Sequence, residues 1–309
     1  MDQPLVSVVI LTYNHFHYLE QAIDSVLSQD YPKIEIIISD DGSEYFDKTA
    51  LNAYLEEHRQ KNIIAYTVTQ NPENLGIVKN SNRSIKRSRG TYIVPLDCDD
   101  CFYDETVITA LVQEFQRTGA NIITGCMEIY DSSFKKLRNR SPDKGKIKLF
   151  KSTDKLFEEL CRRNFIAGAC TSFSRKLFET YGYLDESYTF LDDYPLYLKL
   201  ARLGERIHFL NRTIIKYRLG GISTRKATNP VFESDINRVL KQEILPYKEK
   251  INKHLYREKM FDYRRRTEKR HRLFLLSWRY PDVIAAKVMS RIKAFVKNLI
   301  EGKWQVFRR

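Results

Sequence analysis

No stretch of 18 or more apolar residues occurs in the 309 residues, so the sequence predicts no membrane-spanning helix. Glycine and proline are scarce, at 12 and 9, which excludes collagen-like and low-complexity classes. Glycine-rich phosphate loops are missing as well. Neither GxGxxG nor GxxxxGK followed by Ser or Thr is present. That removes dinucleotide-dependent oxidoreductases and P-loop NTPases from consideration. The first residues, MDQPLVSVVILTYNH, carry no basic lead, and Ser7 and Thr12 interrupt their apolar run. They read as a buried strand rather than a signal peptide. With no secretory signal, the 5 cysteines are expected as reduced thiols in a cytosol.

Apolar residues make up 42% and aromatics 12%, a globular mix in a chain long enough for one large domain or two ordinary ones. The net charge of +13 is not evenly spread. Residues 1–240 are balanced, with 32 Lys+Arg against 32 Asp+Glu, while residues 241–309 hold 20 against 7. A neutral body with a polycationic tail implies an anionic partner for the tail.

Val6–Leu11 is a continuous β-branched run, as a buried parallel strand requires. Leu19, Ala22, Ile23, Val26 and Leu27 follow at helical spacing, with Asn14 as the expected cap. A strand at Glu35–Ser39, a helix over 46–60, a strand near 63–68, a helix over 77–89 and a strand at Tyr92–Leu96 continue the pattern. This alternation, running to about residue 125, predicts a doubly wound α/β sheet. Residues 131–148 are polar and basic and predict an exposed, mobile loop. Helical patterns return at 153–163, 174–181 and after 191. From about residue 230 the chain reads as helical throughout, which sets a domain boundary there.

Two of these strands run straight into acidic clusters, and ligands of open α/β sheets bind at the carboxyl ends of strands. Asp97-Cys98-Asp99-Asp100 follows the apolar YIVPL. Carboxylates so close repel one another, and a divalent cation removes that cost. Their hard oxygens suit Mg²⁺ or Mn²⁺ bridging to a diphosphate. Cys98 and Cys101 form a CxxC with no second pair at zinc spacing, so a zinc or redox role is not expected. His15 and His17 have no partner motif and read as ordinary loop histidines. Asp40-Asp41-Gly42-Ser43 is either turn chemistry or an acceptor for a base or ribose. Asp192 and Asp193 precede a helix with Pro195 in its first turn, so they fit a dipole cap or a general base for an attacking hydroxyl.

Taken in order, VSVVILTYNH (6–15), SDDGS (39–43), ENLGIVKNSN (73–82), RGTYIVPLDCDD (89–100), YGYLDESYTFLDDYPLYLKLARLG (181–204) and YRLGGIST (217–224) resemble the family 2 glycosyltransferases. The resemblance covers about residues 1–225. It implies a GT-A fold, Rossmann-like and doubly wound, with a helical C-terminal extension. A GT-A domain at 1–228 would hold a nucleotide-sugar half (1–100) and an acceptor half (101–228), followed by a basic helical region at 229–309. The implied activity is metal-dependent, inverting transfer from a nucleotide sugar, a UDP-sugar first among them. The implied acceptor is a saccharide or lipid-linked saccharide of bacterial surface-polysaccharide synthesis.

The resemblance also assigns roles. Thr12 and Tyr13 would frame the nucleobase, and Asp41, with Asp40 beside it, would bind uracil. Asn74, Gly76 and the Lys79–Asn82 stretch would lie near the diphosphate and sugar. Asp97 and Asp99 form the DxD pair, with Asp99 the direct ligand of Mn²⁺ or Mg²⁺ and Asp97 toward ribose or sugar. Asp193 matches the family's catalytic base, in a pair that here reads Asp192-Asp193. The family often has a histidine in the YR-containing block, where this chain has Tyr217-Arg218-Leu219-Gly220-Gly221.

The tail adds Ile284, Val288, Ile292, Phe295, Val296 and Leu299 along one side of a helix, flanked by Lys287, Arg291, Lys293 and Lys297. Phe274, Leu275, Leu276 and Trp278 lie upstream, after RRRTEKRHR at 264–272. Such a helix suits the anionic inner face of a cell membrane, or packing on protein. A cytoplasmic enzyme, peripheral on that membrane, is the expected setting, with oligomerisation left open. The alternatives are a metal-dependent sugar nucleotidyltransferase and a nucleic-acid binder acting through the tail. Nucleic acid is not an expected partner, because the basic residues carry no reading motif.

Overall fold

The computed structural model describes residues 3–220, 229–268 and 273–300. It divides into two compact units, residues 1–236 and 237–309.

The first unit opens with β1 (Val6–Thr12), α1 (Leu19–Leu27), β2 (Ile34–Asp40), α2 (Lys48–His58), β3 (Ile63–Gln70), α3 (Ile77–Arg87) and β4 (Tyr92–Asp97). It continues with β5 (Cys101–Phe102), α4 (Val107–Thr118), β6 (Ile122–Tyr130), β7 (Leu137–Ser141) and the one-turn α5 (Lys144–Ile147). Then come α6 (Thr153–Arg162), β8 (Thr171–Ser174), α7 (Arg175–Tyr181), α8 (Tyr194–Arg202), β9 (His208–Arg218) and α9 (Pro230–Val239), whose last residues belong to the second unit.

Among the described residues the sheet has nine strands, in the order β3-β2-β1-β4-β8-β6-β9-β5, with β7 on β6. The first four are parallel. β8 then runs antiparallel to both β4 and β6, β9 is parallel to β6, and β5 and β7 are antiparallel to their partners. β1 and β2 are covered on both faces: Val6, Val8, Ile10, Ile34, Ile36 and Ile38 have no exposed surface on one, and Ser7, Val9, Glu35 and Ile37 are buried on the other. That is why these segments are mostly apolar rather than alternating, with the buried polar pair Ser7–Glu35 bonded to each other.

Register positions the chemistry. Thr12 lies opposite Asp40, and Leu11 opposite Asp97. The carboxyl ends of β1, β2 and β4 therefore reach the same edge of the sheet, where open α/β folds bind ligands.

Two local expectations change. Residues 131–148 are not a loop throughout, because β7 pairs with β6 and α5 follows it. The Asp131 carboxylate accepts the Lys135 and Lys136 amides at the turn, and Arg140 on β7 pairs with Glu128 on β6. β7 is an edge strand with four of its five residues exposed, so no apolar alternation marks it in the sequence. Asn14 does not cap α1, whose N-terminal residue Tyr18 makes no side-chain cap. Asn14 instead takes a left-handed turn (φ 51°), and its amide donates to Ser43 Oγ at 2.8 Å. Asparagine is among the few side chains that tolerate that region.

In the second unit, π- and 3₁₀-helical turns over Leu240–Lys250 lead into α10 (Lys253–Thr267), α11 (Leu273–Arg279) and α12 (Pro281–Ile300). Phe261, Leu276, Tyr280 and Val283 form its small core, with Ile284 packed against it. The ion pairs Arg257–Asp282 and Lys287–Asp262 tie α12 to α10. Among the described residues no helix is long and apolar enough to cross a membrane.

Candidate active site

Asp40 and Asp41 end β2 with different duties. Asp40 is fully buried, and its carboxylate accepts both the amide and the hydroxyl of Ser43 at 2.8 and 2.5 Å. This closes the turn through Gly42, whose φ of +80° suits glycine, and where a Cβ would sit 2.5 Å from the Glu73 backbone. Asp41 reaches across to the loop before α3. It accepts from Asn71 Nδ2 (2.9 Å), Leu75 N (3.0 Å) and Gly76 N (2.9 Å). A carboxylate offers about four acceptor positions, so roughly one remains for a ligand.

The loop from 71 to 76 lies against the segment that ends in Asp192-Asp193. A Cβ on Gly76 would meet Thr189 Cγ2 at 2.8 Å. On α3, Asn82 bonds both the amide and the carbonyl of Leu184 at 3.0 and 2.9 Å. Asn80 bonds Ser39, so both asparagines work as structural struts. Lys79 and Asn74 are exposed, as is Tyr13. Thr12 is buried, with its hydroxyl donating to the His15 carbonyl at 3.3 Å.

After β4 the chain turns sharply, with the Asp100 amide on the Asp97 carbonyl at 3.0 Å. Solvent reaches Asp97, yet protein crowds it closely. Desolvation raises its pKa, and the charges of Asp99 and Asp192 raise it further. Asp100 is buried, and its pKa is also raised, first by burial and then by Asp97. Its Oδ1 accepts the Arg218 amide, while Oδ2 has no hydrogen-bond partner among the described residues. Crowded oxygen donors with one buried, unpartnered carboxylate oxygen fit a hard divalent cation.

Asp193 is the N-cap of α8, its Oδ1 accepting the Tyr194 amide and its Oδ2 accepting from Asn164 Nδ2 at 3.2 Å. Burial raises its pKa, and Asp97 adds to the rise. Burial and then Asp193 raise that of Asp192. The acidic motifs at 97–100 and 192–193, far apart in sequence, thus act on each other directly.

Four further residues shape the site, with roles the sequence did not reveal. Arg218 on β9 is 3% exposed, and its guanidinium carbon lies over the rings of Tyr18 and Phe134, 3.6 and 3.7 Å from their centres. Its Nε donates to the Asp99 carbonyl at 2.8 Å, and its Nη2 to Gln21 Oε1 at 2.8 Å. Asp235 on α9 accepts the amides of Thr189, Phe190 and Leu191 at 3.0, 2.7 and 3.3 Å, immediately before the Asp192-Asp193 pair. Asn71 ties Asp41 to Asn80. His15, expected to be an ordinary loop residue, brings Nδ1 to 3.8 Å from Asp99 Oδ2. The left-handed turn at Asn14 swings it there, and no sequence spacing reports such a turn. Residues 221–224 of the YRLGGIST block lie outside the described residues.

A parallel first half, a mixed second half and acidic motifs at the strand ends and at the N-terminus of α8 are the architecture of the GT-A fold. TarS of S. aureus in complex with UDP-GlcNAc superposes with a TM-score of 0.60 at 18% identity, over 85% of this chain and 72% of that one. The mannosyltransferase PcManGT of Pyrobaculum calidifontis, in complex with GDP-Man and Mn²⁺, gives 0.55 at 15% identity over 98% and 83%. At these identities the likeness concerns the fold. In sequence, an uncharacterized glycosyltransferase of Rickettsia typhi is 30% identical over 79% of this chain and 76% of its own length. The model of glycosyl transferase family 2 matches residues 7–182, and the chain belongs to that family. It is a glycosyltransferase.

Proposed function

We propose that this enzyme moves a sugar from a UDP-sugar to a saccharide hydroxyl, with inversion and with the help of Mn²⁺ or Mg²⁺. The observation that carries this reading is that Asp41 and Asp97 lie at the carboxyl ends of β2 and β4, the two strands that flank β1, with Asp193 capping α8 near enough to feel the charge of Asp97. A general base beside a diphosphate-and-metal site is what single-displacement sugar transfer needs. Tyr13 offers an exposed ring to the base, and the remaining acceptor position of Asp41 suits a uracil N–H. Asn74, Gly76 and Lys79 line the approach of the diphosphate and sugar. Asp99, with Asp97 beside it, would hold the cation, which when bound would supply Lewis-acid stabilisation to the departing diphosphate.

The step balances within this site. Asp193 accepts the acceptor's hydroxyl proton, with Asp192 beside it. The freed oxygen lone pair forms the new bond to the anomeric carbon from the face opposite the phosphate. The carbon–oxygen bond to phosphate breaks, and UDP departs with its electrons. One displacement inverts the centre with no covalent sugar–enzyme intermediate.

The GT-A domain at 1–228 carries this chemistry, and the basic region at 229–309 brings the enzyme to its acceptor. Its α11 and α12 expose Phe274, Leu275, Trp278, Val288, Met289, Ile292, Phe295 and Val296 near Arg291 and Lys293. Ile284 is drawn into the unit's own core, and the side chains of Lys297 and Leu299 and residues 269–272 and 301–309 lie outside the described residues. An aromatic, basic helical face of this kind suits an anionic bilayer, where a lipid-linked saccharide presents its pyrophosphate.

Asp193→Asn tests the reading. It is expected to keep UDP binding and to slow transfer by about 100- to 10,000-fold. Transfer at the wild-type rate would place the base elsewhere. Sedimentation with anionic vesicles at low salt tests the membrane role, and failure to pellet removes it.

A further inference from the structure

We propose that His15 supplies a nitrogen ligand to the divalent cation held at Asp99, and so shifts the site from Mg²⁺ toward a first-row transition ion such as Mn²⁺. This rests on the metal-dependent reading above and extends it to a residue outside the acidic motifs.

The loop geometry comes first. Three hydrogen bonds and one left-handed turn set the path of residues 12–15. The Asn14 amide bonds Ser43 Oγ at 2.8 Å, and Asn14 itself turns left-handed. The His15 carbonyl then accepts from Thr12 Oγ1 at 3.3 Å and from Cys98 Sγ at 3.4 Å. The loop is thereby pinned to the residue next to Asp99, and the imidazole returns over the acidic turn.

Donor spacing comes second. His15 Nδ1 lies 3.8 Å from Asp99 Oδ2. That is too long for a hydrogen bond. Two ligand atoms bound about 2.1 Å from one ion are about 3–4 Å apart, so the gap is the size a shared cation occupies. Among the described residues His15, Cys98 and Asp99 are the one group of three such side chains with ligand atoms within 4.8 Å of one another. The imidazole is 44% exposed, which leaves the entry path open.

Competing donors are accounted for. The Cys98 thiol is buried and is engaged in donating to the His15 carbonyl. The block at 217–220 contains no histidine, and the Arg218 guanidinium is committed to Asp99, Gln21 and Ser132. Among the described residues, His15 is the histidine whose ring nitrogen approaches the Asp99 carboxylate. Mg²⁺ prefers oxygen ligands and retained water, whereas a ring nitrogen is a better ligand for transition ions.

Pulsed EPR of the full chain loaded with Mn²⁺ and UDP tests the assignment without measuring transfer. Wild-type protein is expected to show ¹⁴N modulation from a directly bound imidazole, and His15→Gln to lose it. In parallel, Mn²⁺ affinity read from the free-ion signal should fall about tenfold or more in His15→Gln. Mg²⁺ affinity should change much less, and an unchanged melting temperature without metal confirms that the variant folds. Bound Mn²⁺ with no nitrogen coupling in the wild type, or coupling that survives in His15→Gln, overturns the ligand assignment and leaves metal dependence standing. If Mn²⁺ does not bind even with UDP present, metal dependence itself fails and the ligand with it.

Discussion

The backbone amide of Arg218 donates to Oδ1 of Asp100 at 2.7 Å, joining the last residue of β9 to the acidic turn that follows β4. The same residue's guanidinium holds the Asp99 carbonyl and lies over the rings of Tyr18 and Phe134. Arg218 is thus a positioning residue for the DxD turn. Arg218→Lys keeps the charge and loses the planar fork and its ring contacts. It is expected to cost about 2–4 kcal/mol in urea unfolding. It should also weaken metal-dependent UDP binding more than metal-free binding, a split that a purely structural role would not produce.

Asp235 does for the Asp192-Asp193 segment what Arg218 does for the acidic turn after β4. Three amides of residues 189–191 converge on one of its oxygens. Asp235→Ala leaves those donors without their acceptor and is expected to cost about 2–3 kcal/mol. Because the released segment leads into Asp193, kcat should fall more than KM for the donor rises. Steady-state kinetics with thermal melts will check both effects. Asp235→Asn, which retains an acceptor oxygen, should recover part of the loss.

Glu35 on β2 reaches past Ser7 of β1 to the Arg89-Gly90 turn before β4, with its side chain 5% exposed. Burial alone would raise its pKa above the ordinary 4.5, but hydrogen bonds from Ser7 and from the Arg89 amide and guanidinium outweigh it and lower the value. A carboxylate with a lowered folded-state pKa contributes stability above its unfolded value. That contribution is lost as pH falls through the folded one. Stability should therefore fall below about pH 5, and Glu35→Gln should flatten this acid limb while lowering stability at neutral pH. Urea melts across pH 3–8, a range of about five units, read both. An unchanged acid limb in Glu35→Gln would place the acid sensitivity in other carboxylates.

Legibility followed burial. The strands β1, β2 and β4 are apolar runs because both faces are covered, and they stand out in the sequence. β7 is polar and exposed, and β8 is the four-residue TSFS, so neither carries a pattern long enough to mark it. β9, HFLNRTIIKYR, mixes apolar and polar residues along its length. The acidic motifs were visible because clustered carboxylates are unusual at strand ends. Asp235 and His15 were not, because an isolated Asp or His gives no signal until another segment meets it.

The sequence alone determined the parallel half of the sheet, the positions of its acidic strand ends and the family resemblance. All three follow from local side-chain chemistry and spacing, which survive in one dimension. Tertiary structure decided how the motifs meet. It set Asp97 against Asp192 and Asp193, turned Asp40 inward to Ser43 and Asp41 across to the loop before α3, and brought His15 over Asp99. The physical reason is that these relations depend on sheet register, left-handed turns and hydrogen bonds between distant segments. None of them exists until the strands have paired and the helices have docked.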